Sequence, residues 1–159
     1  MLNCIFVLRT KQYIKSKIQF KMNRSKFLTG IFIGAAAYFA ASYLTYQIIF
    51  GSALDAACPN MQTIMVDAPD LMTIIIGCIA TGLLLTYLFE SLGSVKTMMA
   101  GLYHGVIIGC LVAVSYDAMM LATTNIYTWN GLVLDTMATI INIGVSGGVV
   151  GWWLGYNRN

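Results

Sequence analysis

The amino-acid sequence predicts an all-α integral membrane protein, built as a bundle of four transmembrane helices. Hydrophobic residues make up 58% of the 159-residue chain and charged residues only 9%, whereas a soluble domain has about 25% charged residues. Four stretches contain at least the roughly 18 apolar residues that a helix needs to cross a bilayer. None alternates polar and apolar residues as the strands of a membrane barrel do. This composition excludes an ordinary soluble enzyme, a disordered chain and a nucleic-acid-binding domain.

The four spans are predicted in order along the chain. They cover residues 27–50, 71–92, 98–122 and 131–156, which together form one transmembrane domain over 27–156. We expect helices because a helix satisfies its own backbone polar groups within lipid. The first stretch is longer than the apolar region of a typical cleaved signal peptide, so we interpret it as a retained span.

The basic residues predict the orientation of these spans. Seven of the nine precede the first span, and the other two, Lys96 and Arg158, follow the second and fourth spans. In a four-span chain these three regions share one side of the membrane, and the positive-inside rule makes that side cytoplasmic. The connections 51–70 and 123–130 contain no Lys or Arg. Both termini are therefore predicted to be cytoplasmic.

The N-terminal segment 1–26 differs from the rest of the chain because it mixes lysines with a few apolar residues. We interpret it as a basic cytoplasmic segment. It is either a solvated tail or an interfacial segment held by anionic lipid. In a further alternative, translation begins at Met22, which would leave Arg24 and Lys26 as a sufficient basic flank.

Two of the spans carry pronounced glycine runs. In the third span they are Gly101, Gly105 and Gly109, and in the fourth they are Gly144, Gly148, Gly151 and Gly155. Lipid tails are as apolar as leucine side chains, so helices associate in a bilayer through close packing, which small residues permit. We expect these faces to pack the helices within the chain. A homo-oligomer formed through one of them is the alternative, and the other predicted partner is the lipid bilayer itself.

The fourth span also carries polar residues on its opposite face. At 100° per residue, Asp135, Thr139, Asn142 and Ser146 fall within about 60° of one another, and the glycines lie on the other side of the helix. Polar groups within a membrane usually face protein or water. The stripe is interpreted either as hydrogen bonding that joins the helices or as a polar path.

Four ionisable residues lie within or near the spans. Asp117 and Asp135 are predicted at similar depths near the outer surface. A close pair of carboxyl groups disfavours joint ionisation, as a proton- or cation-binding site requires. Asp117 is therefore added to the candidate polar path. On the inner side, Glu90 and His104 form a candidate pair across the turn between the second and third spans.

Few residues of the chain could support catalysis or bind a cofactor. The four cysteines include no Cys-x-x-Cys pair, and a single histidine provides neither bis-His haem ligation nor a clustered zinc site. No glycine-rich phosphate loop with Lys and Ser or Thr is present. We therefore predict no enzyme activity, no catalytic residue, no cofactor and no metal.

Several short motifs resemble a family of small, uncharacterised four-helix membrane proteins of Bacteroidetes-like bacteria. They are Lys26-Phe27-Leu28, Pro69-Asp70-Leu71, Tyr87-Leu88-Phe89, Ser115-Tyr116-Asp117, Thr123-Thr124-Asn125, Gly147-Gly148 and Gly151-Trp152. The resemblance implies a bacterial inner membrane and supplies no activity or site residues. It directs attention to Asp117 and Asn125.

We thus expect a non-catalytic membrane protein with a structural, regulatory or assembly role. The alternative is a small proton- or cation-coupled transporter or channel with a polar path along the fourth span.

Overall fold

The computed structural model describes residues 24–60 and 68–156. Regular structure within these ranges is helical. The helices are α1 (Arg24–Tyr43), α2 (Gly51–Ala57), α3 (Leu71–Leu92), α4 (Met98–Thr123) and α5 (Trp129–Gly155), and a π-helical stretch, Leu44–Ile49, continues α1. Most of the predicted basic segment, with the alternative start at Met22, lies outside the described residues.

Four of these helices are long and apolar enough to cross a membrane: α1 with its π-helical continuation, α3, α4 and α5. The predicted all-α architecture with four membrane-spanning helices is therefore confirmed. Each of these helices begins and ends within three residues of its predicted bounds. The chain is an integral membrane protein.

Short polar residues begin three of the helices, and a glycine ends one. Asp70, Thr97 and Thr128 precede α3, α4 and α5, and each accepts a hydrogen bond from a backbone N–H in the first turn. These bonds satisfy donors that a helix leaves free at its start. Gly93 follows α3 with a φ of 66°, a left-handed conformation that glycine adopts without steric cost.

The long helices pack around α5. Its largest interface is with α4 and its second largest is with α1, while α3 packs mainly against α1. The contact between α3 and α4 is slight, although they follow each other in the chain. Half of the apolar window of α5 is buried, compared with 22–28% in the other three helices. The helix that carries both the glycine and the polar residues is therefore the central one.

One end of the bundle, which we call the basic end, holds the start of α1 and the end of α5. Lys26 donates from Nζ to the backbone oxygen of Tyr156 at 2.9 Å, and the indole of Trp153 donates to the backbone oxygen of Lys26 at 3.4 Å. The neighbouring half of the interior is filled by Leu85, Phe89, Val95, Ile143, Val150 and Leu154. The bundle is therefore tightly packed on this side.

The opposite end, which we call the acidic end after Asp55 and Asp70, is covered in part by α2. Thr128 donates to the backbone oxygen of Ala57 at 2.6 Å, which ties α2 to the start of α5. Cys58, at the end of α2, is 0% exposed and packs against the first turn of α5. The docking of α2 on α5 therefore buries this thiol.

Candidate functional site

The π-helical stretch Leu44–Ile49 turns two consecutive side chains of the first span toward α5. The Thr45 hydroxyl lies 2.7 Å from the side-chain oxygen of Asn142 and 2.7 Å from the backbone oxygen of Ala41, so its single proton serves one of them at a time. The Tyr46 hydroxyl donates to Oδ1 of Asp135 at 2.7 Å. In a regular α-helix neighbouring residues point about 100° apart. The wider π-helical turn accommodates both contacts, and such turns are frequent at functional sites.

Asp135 collects hydroxyl groups from two different parts of the chain. Besides Tyr46, the Tyr127 hydroxyl donates to its Oδ2 at 3.1 Å, from the connection between α4 and α5. Burial, and next the negative charge of Asp135, raise the pKa of the Tyr127 phenol well above its ordinary value. Tyr127 therefore stays protonated and remains a donor. The Tyr46 hydroxyl also lies 3.2 Å from the hydroxyl of Thr139.

Asp117 brings a second carboxyl group to this place from α4. It is 1% exposed, accepts a hydrogen bond from Thr136 at 2.7 Å, and adjoins the Asp135 carboxyl group. Each aspartate lies six residues inside its helix, counted from Thr123 or Trp129, which corresponds to a depth of about 9 Å. We call Asp117 and Asp135 the carboxyl pair. The structure thus brings together the two acids that the sequence placed at similar depths.

The rest of the predicted polar stripe continues along α5 toward the basic end and meets α1. Asn142 is fully buried, and its Nδ2 has no hydrogen-bond partner. Ser146, also fully buried, donates to the backbone oxygen of Gly34 at 2.9 Å. The stripe formed by Asp135, Thr139, Asn142 and Ser146, which we call the polar face of α5, therefore packs largely against α1.

The polar contacts stop before they reach the basic end. Beyond Ser146 the interior is apolar, with Leu85, Phe89 and Val150 each at most 1% exposed. Thr86 is the buried polar side chain nearby, and its hydroxyl has no hydrogen-bond partner. Within the described residues, the hydrogen-bonded polar contacts occupy the half of the bundle nearer the acidic end.

The predicted inner pair is not joined. No hydrogen bond or ion pair connects Glu90 with His104 in the described part of the chain. The His104 ring instead lies 6.5 Å from the Phe89 ring and 5.6 Å from the Tyr103 ring, measured between centroids. The physical reason is that α3 packs on α1, so α3 and α4 do not form a closely packed hairpin.

The predicted glycines lie where α4 and α5 meet. A Cβ added to Gly101 would collide with the carbonyl oxygen of Gly147, and one added to Gly105 would lie 2.7 Å from the carbonyl oxygen of Ile143. Gly109, Gly144, Gly148, Gly151 and Gly155 likewise face the partner helix or the residues just before it. We call the contact that these glycines of α4 and α5 form, together with Gly147, the glycine face.

Four polar residues of this network were not predicted from the sequence: Thr45, Tyr46, Tyr127 and Thr136. Tyr127 lies in the connection between two spans, and the other three lie in spans, where single hydroxyl groups are common. The run Thr45-Tyr46-Gln47 was the available signal, because three consecutive polar residues are unusual in a transmembrane helix. Only the packing of α1 beside α5 brings these side chains to the same part of the bundle.

The described residues contain no group of three or more His, Cys, Asp or Glu side chains that could hold a metal ion. No protein-family model, curated protein or solved structure matches the chain. The class that the fold and site define is thus an integral membrane protein with a buried carboxyl and hydroxyl network near one end of its helices.

Proposed function

We propose that this is a non-catalytic regulatory protein of a bacterial inner membrane, with both termini in the cytoplasm. In this proposal, protonation of the carboxyl pair controls how tightly α1 and α4 pack on α5. The position of the carboxyl pair is the observation that supports this proposal. Asp117 comes from α4 and Asp135 from α5. The hydroxyl donors come from the π-helical continuation of α1 (Tyr46), from α5 (Thr136) and from the connection before α5 (Tyr127).

Charge around the pair supports a proton-linked role. The described Lys and Arg residues, Arg24, Lys26 and Lys96, lie at or near the basic end, so none of them neutralises the pair. Two adjoining carboxyl groups resist joint ionisation because like charges repel. Ionisation of both carboxyl groups would push α4 away from α5, because the two negative charges repel. Tyr38 of α1 is a further titratable group near Asp135.

A spin-label experiment tests this coupling in the purified protein in nanodiscs. Labels at Tyr43→Cys on α1 and Met119→Cys on α4, both exposed positions, are introduced into a chain whose native cysteines are replaced by serine or alanine. We expect the distance distribution between the labels to broaden as the pH rises, because ionisation of both carboxyl groups adds repulsion between α4 and α5. In Asp117→Asn and Asp135→Asn the distribution should no longer respond to pH.

Glu90→Gln provides the matched control, because it removes a carboxyl group that has no described contact with the pair. It should keep the response of the wild type. A distribution that is independent of pH in the wild type, or one that still changes with pH in both Asn variants, contradicts the proposed role.

A proton- or cation-coupled transporter is the second candidate, and the specific observation that favours it is the burial of the pair beside the α4–α5 connection. The packed interior near Leu85 and Phe89 argues against it, because no polar path continues there. Proteoliposomes with a trapped pH indicator separate the two functions. Proton flux that exceeds that of the Asp135→Asn variant favours transport, and equal flux favours regulation.

The proposed orientation is tested with two introduced cysteines in the same cysteine-free chain. Ser52 in α2 and Ser94 in the α3–α4 connection are both exposed and lie at opposite ends of the bundle. A membrane-impermeant maleimide added to intact cells from which any outer membrane has been removed should label Ser52→Cys and spare Ser94→Cys. The opposite pattern would reverse the orientation.

A further inference from the structure

A cleft of about 440 Å³ lies between α1 and α3 in the half of the bundle nearer the acidic end. Its lining includes Tyr38, Phe39, Ser42, Tyr43, Gly77 and Cys78. Small-molecule sites commonly enclose about 300–1,000 Å³ and combine apolar walls with a few polar groups. This cleft has a volume in that range and a lining of that kind, and the contacts between α1 and α3 do not fill it.

The cleft exists because α1 and α3 touch closely at one level and then diverge. A Cβ on Gly82 would collide with the backbone oxygen of Ile31 and lie 2.8 Å from the backbone nitrogen of Ala35. Five residues earlier, a Cβ on Gly77 would meet no atom within 4 Å. Leu71 through Gly77 are exposed. The two helices therefore form a wedge that opens toward the acidic end.

A polar group in the wedge lacks a close hydrogen-bond partner. The Ser42 hydroxyl is buried and has no partner at full hydrogen-bond distance, although the Tyr38 hydroxyl of the same cleft interacts with it. Thr81, another lining residue, donates to its own helix at Gly77. A buried hydroxyl without a partner is unfavourable. A saturated acyl chain would fill the space but would leave this donor unsatisfied. A molecule with a hydrogen-bond acceptor at this depth would satisfy it.

We propose that the cleft binds a quinone-class molecule dissolved in the membrane, which combines a flat ring, carbonyl oxygens and an apolar tail. Both cleft-forming helices are membrane spans, so the ligand enters laterally from the bilayer. The rings of Tyr38, Phe39 and Tyr43 offer aromatic surfaces against which a flat ring packs. A carbonyl oxygen accepts from Ser42, and the apolar tail extends into lipid.

Tyr46 connects this cleft with the candidate functional site. It lines the cleft and donates to Asp135. A bound ring would therefore lie beside a hydroxyl that holds the carboxyl pair to α1. Binding itself does not depend on the proposed regulatory function, since it rests on the wedge and on Ser42.

Binding is tested with the full chain in nanodiscs of synthetic, quinone-free phospholipid, titrated with a decyl-substituted benzoquinone. The readout is saturable quenching of protein fluorescence above the level found in empty nanodiscs and with a denatured sample. Gly77→Leu fills open space and should abolish saturable quenching. Ser42→Ala should weaken binding about three- to tenfold, as the loss of one hydrogen bond does.

Two matched controls accompany these variants. Ala80→Leu adds the same bulk at an exposed position of α3 that is not among the cleft-lining residues, and Ser115→Ala removes an exposed hydroxyl from α4. Both should bind as the wild type does. Asp135→Asn should also bind while losing the pH response, which separates a failure of this inference from a failure of the proposed function.

Three results would overturn the inference. The first is unsaturable quenching in the wild type, and the second is equal affinity in the wild type and Ser42→Ala. The third is displacement of the quinone by decanol at equal concentration, which would identify the cleft as a general acyl-chain groove.

Discussion

On the side of α5 that faces α4, glycines bring two backbones into contact, whereas on the side that faces α1, polar side chains span the gap between the helices. The glycine face depends on close packing of two backbones, since neither Gly101 nor Gly147 has room for a Cβ. The polar face works through hydrogen bonds from Thr45, Tyr46 and Ser146. Close packing between glycines does not respond to pH, whereas a contact that includes carboxyl groups does. We therefore expect α4 to be held firmly along the glycine face, and the packing of α1 and α4 around the carboxyl pair to be the adjustable part.

The largest expected effect concerns the glycine face. Gly101→Ala places a methyl group against the backbone of Gly147 and Gly151, neither of which has a side chain to move aside. We expect a loss of about 1–3 kcal/mol or more in the free energy of unfolding, as for other overpacked sites. Denaturant unfolding in mixed micelles measures it.

Gly77→Ala is the matched control for this substitution. It makes the same chemical change within a helix, but the added methyl group meets open space. Alanine favours a helix over glycine by up to about 1 kcal/mol, so this variant should be as stable as the wild type or more so. If both variants unfold alike, close backbone packing is not what holds α4 to α5.

An intermediate effect is expected on the polar face. Thr45→Val keeps the shape of the side chain but removes a hydroxyl that contacts Asn142 as well as Ala41, and the amide of Asn142 is fully buried with an unpaired Nδ2. We expect a loss of about 1–2 kcal/mol, the usual cost of stranding a buried polar group. The same unfolding measurement applies.

Thr29→Val serves as the comparison, because the Thr29 hydroxyl donates to Ser25 within its own helix. Its effect should stay within about 0.5 kcal/mol. A Thr45→Val variant as stable as Thr29→Val would show that the polar face adds little to the packing of α1.

The smallest effect is expected at Asp70, a carboxylate that lies outside both faces. Hydrogen bonds from the Thr73 hydroxyl and the Met72 backbone lower the pKa of Asp70. Its contribution to stability is therefore present above the ordinary Asp pKa of about 3.9 and is lost as the pH falls through the lowered value in the folded protein. Asp70→Asn should alter the unfolding temperature slightly at neutral pH and flatten its acid dependence. A pH response near neutrality that disappears in this variant would mean that the carboxyl pair is not its source.

Much of the architecture was predictable because it depends on local composition. Apolar length set the four helices, and their periodicity placed the glycines and the polar residues on opposite sides of α5. The similar depths of Asp117 and Asp135 followed from counting residues from the helix ends. The expected pairing of Glu90 with His104 was not found, because it assumed that consecutive helices pack along their length. Gly82 allows α3 to approach α1 instead.

The sequence by itself determined that the chain is a membrane protein, where its helices begin and end, and which sides of α5 differ in chemistry. These features depend on residues that are neighbours along one helix. Only the tertiary structure decided which helix packs on each side. Lipid is as apolar as the helix surfaces, so burial of apolar residues does not select the partner helix, and close packing between distant segments does. The tertiary structure also brought Tyr46, Tyr127 and Thr136 to the carboxyl pair, where contacts between separate parts of the chain turn two predicted acids into a network.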